Sequence, residues 1–121
     1  MMSSPRRYTM NYNWVWGPDN PVLDKAASLS MTLRDADPGH LAALLTTWLD
    51  GLSFSPESDH YFWGGWSVRI VDHHGGSAEL VFTSGGQDVA ESLGDGVDSF
   101  YEQVLHPLST ASVVWTELPL N

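Results

Sequence analysis

Three features of the sequence predict an α+β fold. Apolar residues alternate with period two at 27–34, 61–71, 77–83 and 112–118, the pattern of half-buried strands. Two longer stretches, beginning at Asp37 and Gln87, repeat apolar residues at helical spacing instead. Glycine and proline clusters separate these stretches. At 121 residues the chain fits a single domain, read here as residues 8–121 behind a flexible tail at 1–7. A chain of that length buries roughly two-thirds of its unfolded surface, enough for one core.

The elements follow in order. Tyr8, Met10, Tyr12, Trp14 and Trp16 alternate with polar neighbours and predict an extra aromatic strand at 8–16. Gly17-Pro18-Asp19-Asn20-Pro21 breaks it. In 27–34, Ala27, Leu29, Met31 and Leu33 share one face, and Ser28, Ser30, Thr32 and Arg34 the other. Asp37-Pro38 is a helix start, with a capping carboxylate followed by proline at the first helical position. Leu41, Leu44, Leu45, Trp48, Leu49 and Leu52 make its apolar stripe, and Gly51 closes it. Ser53 to Asp59 reads as loop.

Residues 61–71 and 77–83 predict a hairpin around the loop Asp72-His73-His74-Gly75-Gly76. The expected register places Ile70 opposite Ala78, Val68 opposite Leu80 and Trp66 opposite Phe82, with Arg69 facing Glu79. Gly64-Gly65 predicts a bulge or a late start in the first arm. Ser84-Gly85-Gly86 is a turn, and 87–106 is helical up to Pro107. Gly94 and Gly96 weaken that helix by about 1 kcal/mol each relative to alanine, and a break there leaves 97–106 regular. Residues 112–118 are the last strand. From residue 27 the order is strand, helix, strand, strand, helix, strand. That is the split βαβ pattern of a ferredoxin-like antiparallel sheet with two helices on one face. The fold hosts many functions and assigns none.

Composition narrows the function classes. Apolar residues make up 42 % and charged residues 17 %, which excludes a disordered chain. No apolar run approaches the ~20 residues that cross a bilayer. There is no cysteine, so disulfides, thiolate metal sites and a cysteine nucleophile are excluded. Fifteen acids against five Lys and Arg give a formal charge of −10. From residue 26 onward 13 acids face only Arg34 and Arg69, a net −11. Such a surface argues against direct binding of nucleic acid or anionic lipid, both of which need cations. Arg6 and Arg7 are followed by alternating polar residues rather than an apolar core, so no export signal is expected and the location expected is the cytoplasm.

The sharpest candidate site lies in 87–106. Asp88, Glu91, Asp95, Asp98 and Glu102 fall at spacings of 3, 4, 3 and 4, which stacks five carboxylates in one column opposite the apolar side. No Lys or Arg follows Arg69. Like charges at i,i+4 cost a helix about 0.2–0.5 kcal/mol per pair, so stability alone disfavours the column. A column of acids commonly just solvates a face; it also draws in a cationic partner.

Other candidates are weaker. Asp72, His73 and His74 share a loop, but a tight metal site needs three or four converging ligands, and no metal or cofactor is expected. The run from Asp59 to Trp66 is the most aromatic, and Trp63 is its candidate anchor for a partner. Asp59, His60 and Ser55 are an improbable catalytic group so close in sequence. No phosphate loop, nucleophile elbow or His-x-x-x-His pair is present, so no catalytic residue is assigned and no enzyme is expected.

Two functional expectations follow. In the first, the protein binds and neutralises a basic protein, such as a toxin, nuclease or deaminase, through Asp88, Glu91, Asp95, Asp98, Glu102 and Trp63. In size, acidity and lack of cysteine the chain is similar to immunity proteins of bacterial toxins and to phage-encoded inhibitors, a likeness of composition that covers no residue string. In the second, the aromatic faces at 8–16 and 61–66 line a small-molecule pocket or a homodimer interface, and the acids solubilise. Salt discriminates them, because screening weakens the first kind of binding and not the second.

Overall fold

The uninterrupted alternation at 27–34 makes β1 (Ala27–Arg34), in which Ala27, Leu29, Met31 and Leu33 are fully buried and the intervening residues lie on the other face. It belongs to a computed structural model that describes residues 8, 9, 11, 26–35, 37–84, 89–108 and 111–118. Asp37 caps the next element, α1 (Pro38–Asp50), its carboxylate accepting from the His40 N–H at 3.0 Å. The helix buries Leu41, Leu45 and Trp48 and ends at Gly51 in right-handed geometry, φ −81°.

Four strands then run in succession: β2 (Ser53–Ser55), β3 (His60–Trp63), β4 (Trp66–His74) and β5 (Ser77–Ser84). The second helix, α2 (Val89–Phe100), continues as one π-helical stretch at Tyr101–Leu105, and β6 (Ser112–Glu117) closes the fold. The six strands form one antiparallel sheet in the order β2-β3-β4-β5-β1-β6. Both helices pack on the same face: Trp48 of α1 meets Phe100 of α2 as well as Trp66 and Phe82 of the sheet. Among the described residues no helix is long and apolar enough to cross a membrane.

The architecture is α+β as expected, but it holds more strands than the six-element pattern. Residues 53–59, expected as loop, contain β2 and the turn into β3. Asp59 makes that turn: it adopts left-handed φ (58°), which aspartate tolerates, and its N–H bonds the Ser55 carbonyl at 2.9 Å. Gly64-Gly65 is a two-residue hairpin turn between β3 and β4, not a bulge, with Gly64 at φ 59° and Trp63 paired to Trp66 across it.

The β4–β5 connection is also tighter than expected. Asp72, His73 and His74 belong to β4, and only Gly75-Gly76 turns, with Gly75 at φ 55°. Tightening the turn moves the register: Ile70 pairs with Leu80, Val68 with Phe82 and Trp66 with Ser84, with an irregularity between Ile70 and Asp72. Arg69 faces Val81 rather than Glu79, and Glu79 faces Asp72. A two-residue slip keeps every side chain on its own face, so alternation alone cannot distinguish the two registers.

The glycines do not break α2. Gly96 is where the helix approaches the sheet, since a Cβ there would lie 2.7 Å from Cδ2 of Trp66. The irregularity falls later, where the His106 N–H bonds the Tyr101 carbonyl at 2.8 Å, one residue wider than an α-helical bond. Most of the expected strand at 8–16, and the tail at 1–7, lie outside the described residues; Tyr8, Thr9 and Asn11 are described and are not in a strand. Tyr8 packs on Trp115 at 5.8 Å and donates to the Glu117 carboxylate, which also accepts from Asn11 Nδ2 at 3.2 Å. Burial, and then the Glu117 carboxylate, push the Tyr8 hydroxyl well above the usual phenolic range.

Two outcomes test this packing. Gly94 and Gly96 share a helix, but a Cβ at Gly94 meets nothing within 4 Å. Gly94→Ala should therefore raise stability by about 0.5–1 kcal/mol. Gly96→Ala should lower it by about 1–3 kcal/mol through overpacking. Urea midpoints moving in the same direction for both would contradict the contact. Tyr8 supplies the second test. A phenol whose folded-state ionisation is raised gives stability that is intact below about pH 10 and is lost as pH rises beyond it. Unfolding free energy should fall more steeply above about pH 10 in the wild type than in Tyr8→Phe, as measured by denaturant titrations across that range.

Candidate functional site

The β3–β4 turn, the end of α1 and one side of α2 enclose a cavity of about 480 Å³. Its floor is set by local structure. Trp48 lies in the apolar stripe of α1 and Trp66 is the first residue of β4; both are buried, and their rings stack at 6.0 Å with 7° between planes. Trp48 Nε1–H donates to Ser99 Oγ at 3.0 Å, which ties the ring to α2. The buried Ser84 hydroxyl donates to the Gly65 carbonyl at 2.8 Å and holds the turn in place. That turn abuts α2 closely, because a Cβ on Gly65 would come 2.5 Å from Ser92 Oγ.

The rim carries the chemistry. Trp63 is 61 % exposed although its cross-strand partner Trp66 is buried. On the α2 side Asp95, Ser99 and Gln103 line the opening, one helical turn apart. Asp95 is the one acidic side chain among the described lining residues. Aromatic side chains and hydrogen-bond acceptors thus share the cavity, with no cationic group among the described lining residues.

The expected site residues divide. Trp63 and Asp95 are brought to one cavity. Glu91 and Glu102 are exposed and Asp98 is half-buried; these three lie on α2 and its π-helical continuation but do not line the cavity. Asp88 lies outside the described residues. Thr47, Trp48, Ser99 and Gln103 belong to the site and were not expected there. The spacing Asp95–Ser99–Gln103 is the one signal in the chain that could have found the last two, since residues four apart flank a common groove.

The other candidates disperse. His74 Nδ1 lies 3.1 Å from the Asp72 carboxylate at an exposed position. His73 alternates to the opposite face, paired with Ala78. Among the described residues no three His, Asp or Glu converge to hold a metal. Ser55 and His60 face each other across β2 and β3, but His60 Nδ1 is engaged with the Ser58 carbonyl at 2.6 Å. Compared with protein-family models, curated proteins and solved structures, the chain matches none.

The site's architecture has its own test. Ser99→Ala removes the acceptor for a buried indole N–H and should cost about 1–2 kcal/mol in urea unfolding. Trp63→Ala, at an exposed position, should change stability by no more than about 0.5 kcal/mol. A large loss in Trp63→Ala would show that this ring is structural rather than free for a ligand.

Proposed function

We propose that this protein binds a basic protein and neutralises it, with the exposed side of α2 and the cavity beside it as the docking surface. One observation carries the reading: exposed Trp63 and Asp95 of the acidic column open onto the same cavity. An aromatic centre with a charged surround is the arrangement of protein interfaces, where Trp is a preferred anchor and rim charge speeds docking. The partners this chemistry suits are proteins with cationic channels, such as nucleases, deaminases or toxins that act on nucleic acid. An acidic domain seated in such a channel takes the place of phosphate. We also read the β2–β3 hairpin as an insertion into a split βαβ fold made by β1, α1, β4, β5, α2 and β6.

The test is capture of partners from host lysate on the immobilised protein. Capture of a basic protein should be strong at about 0.05 M salt, where charges act over about 14 Å, and lost at about 1 M, where they act over about 3 Å. The double variant Glu91→Lys/Glu102→Lys should weaken it at least about tenfold, since like charges across an interface cost several kcal/mol. A partner held equally by the variant, or held regardless of salt, overturns the electrostatic reading.

A further inference from the structure

We infer that the cavity between Trp63, Trp66 and Asp95 is a binding site for a guanidinium group. The inference deepens the basic-partner reading and rests on it only for the source of that group. The cavity, about 480 Å³, lies in the range of ligand pockets, roughly 300–1,000 Å³. Its lining selects the ligand class. An anion is rejected by Asp95 and by the surrounding negative charge. A neutral apolar ligand would strip water from the Asp95 carboxylate and leave it unpaired. A metal ion would find one carboxylate among the described lining residues, where several ligands are needed.

A flat organic cation meets every demand. Its face can lie on the exposed indole of Trp63, where the ring quadrupole attracts positive charge. Its N–H edge can meet Asp95, with the Gln103 carbonyl and the Ser99 hydroxyl oxygen as further acceptors. Ser99 already accepts from Trp48, so its own hydrogen is left to donate, and its remaining lone pair to accept. Guanidinium combines a planar face with a fork of donors that fits a carboxylate at two points. A lysine ammonium offers neither plane nor fork. The guanidinium has two sources, an arginine side chain of the partner or a free arginine-like molecule.

The experiment is a titration followed by ¹⁵N NMR. The probes are N-acetyl-arginine-N-methylamide, its uncharged citrulline counterpart, free arginine and an arginine-centred pentapeptide. The arginine amide should give saturable shifts at the Trp63 indole N–H and at Gly64, Gly65 and Ser99. Asp95→Asn should weaken that binding by about two- to fivefold, as expected for loss of an ion pair at an exposed carboxylate. Trp63→Ala should weaken it by about two- to fivefold, the factor for a cation over an exposed ring. Both variants must keep the wild-type urea midpoint. Equal shifts from the citrulline amide, shifts that do not saturate, or unchanged affinity in Asp95→Asn would each overturn the site. Tighter binding of the pentapeptide than of free arginine assigns the group to a partner's side chain, and the reverse order to a small molecule. The partner reading fails separately, when Glu91→Lys/Glu102→Lys leaves protein capture intact, because neither residue lines the cavity.

Discussion

The indole of Trp66 lies against Gly96 with no room for a side chain between them, and the placement of both helices on the sheet depends on that contact. The same ring stacks on Trp48 of α1, and Trp48 in turn meets Phe100 of α2 edge-on at 5.0 Å. Phe82 in β5 joins all three rings from beneath. Sheet, first helix and second helix therefore share one aromatic cluster. Aromatic pairs of this kind contribute about 0.5–1.5 kcal/mol beyond their buried area. The cost of a glycine inside a helix, about 1 kcal/mol, is offset by what the close approach lets the rings bury.

The cavity follows from the same geometry. Trp66 and Trp48 fill the space between the helices but stop short of the surface, and the two-residue turn at Gly64-Gly65 sends the chain back before another ring can cover them. Trp63, immediately before the turn, is left at the rim. A longer loop would let the chain fold over the gap, and a side chain at Gly65 would drive the turn off Ser92. The opening between Trp63 and Asp95 is thus a consequence of tight turn chemistry and tight helix packing together.

How much of this is legible in the chain depends on the element. β1, α1 and β6 can be read directly, because their alternation or stripe is uninterrupted and Asp37-Pro38 marks a helix start without ambiguity. β2 cannot: Ser53-Phe54-Ser55 holds too few alternations to stand out from loop. The β4–β5 register is hidden because a slip of two residues preserves both faces. Gly94 and Gly96 look alike in sequence, yet one faces open space and the other the ring of Trp66. Trp63 and Asp95 are visible as residue types suited to an interface. Their meeting is not visible, since it depends on the Gly64-Gly65 turn and on Gly96, two contacts between segments some thirty residues apart.

Charge alone does not single out α2. Asp35, Asp37, Asp50, Glu57, Asp59, Asp72 and Glu79 all lie elsewhere, on loops, α1 and the β4–β5 hairpin. Asp72 even faces Glu79 directly across two strands, an arrangement that weakens a sheet. An excess of acid spread this widely sets a field around the whole molecule, which attracts cations without telling them where to dock. What distinguishes one side is Trp63, the most exposed large apolar side chain among the described residues. A solvated acidic face has no use for an exposed indole, whereas a docking face does: covering an aromatic ring of this kind stabilises a complex by about 2 kcal/mol or more. In this reading the distributed charge governs how fast a cationic partner arrives, and the cavity beside α2 governs where it stays.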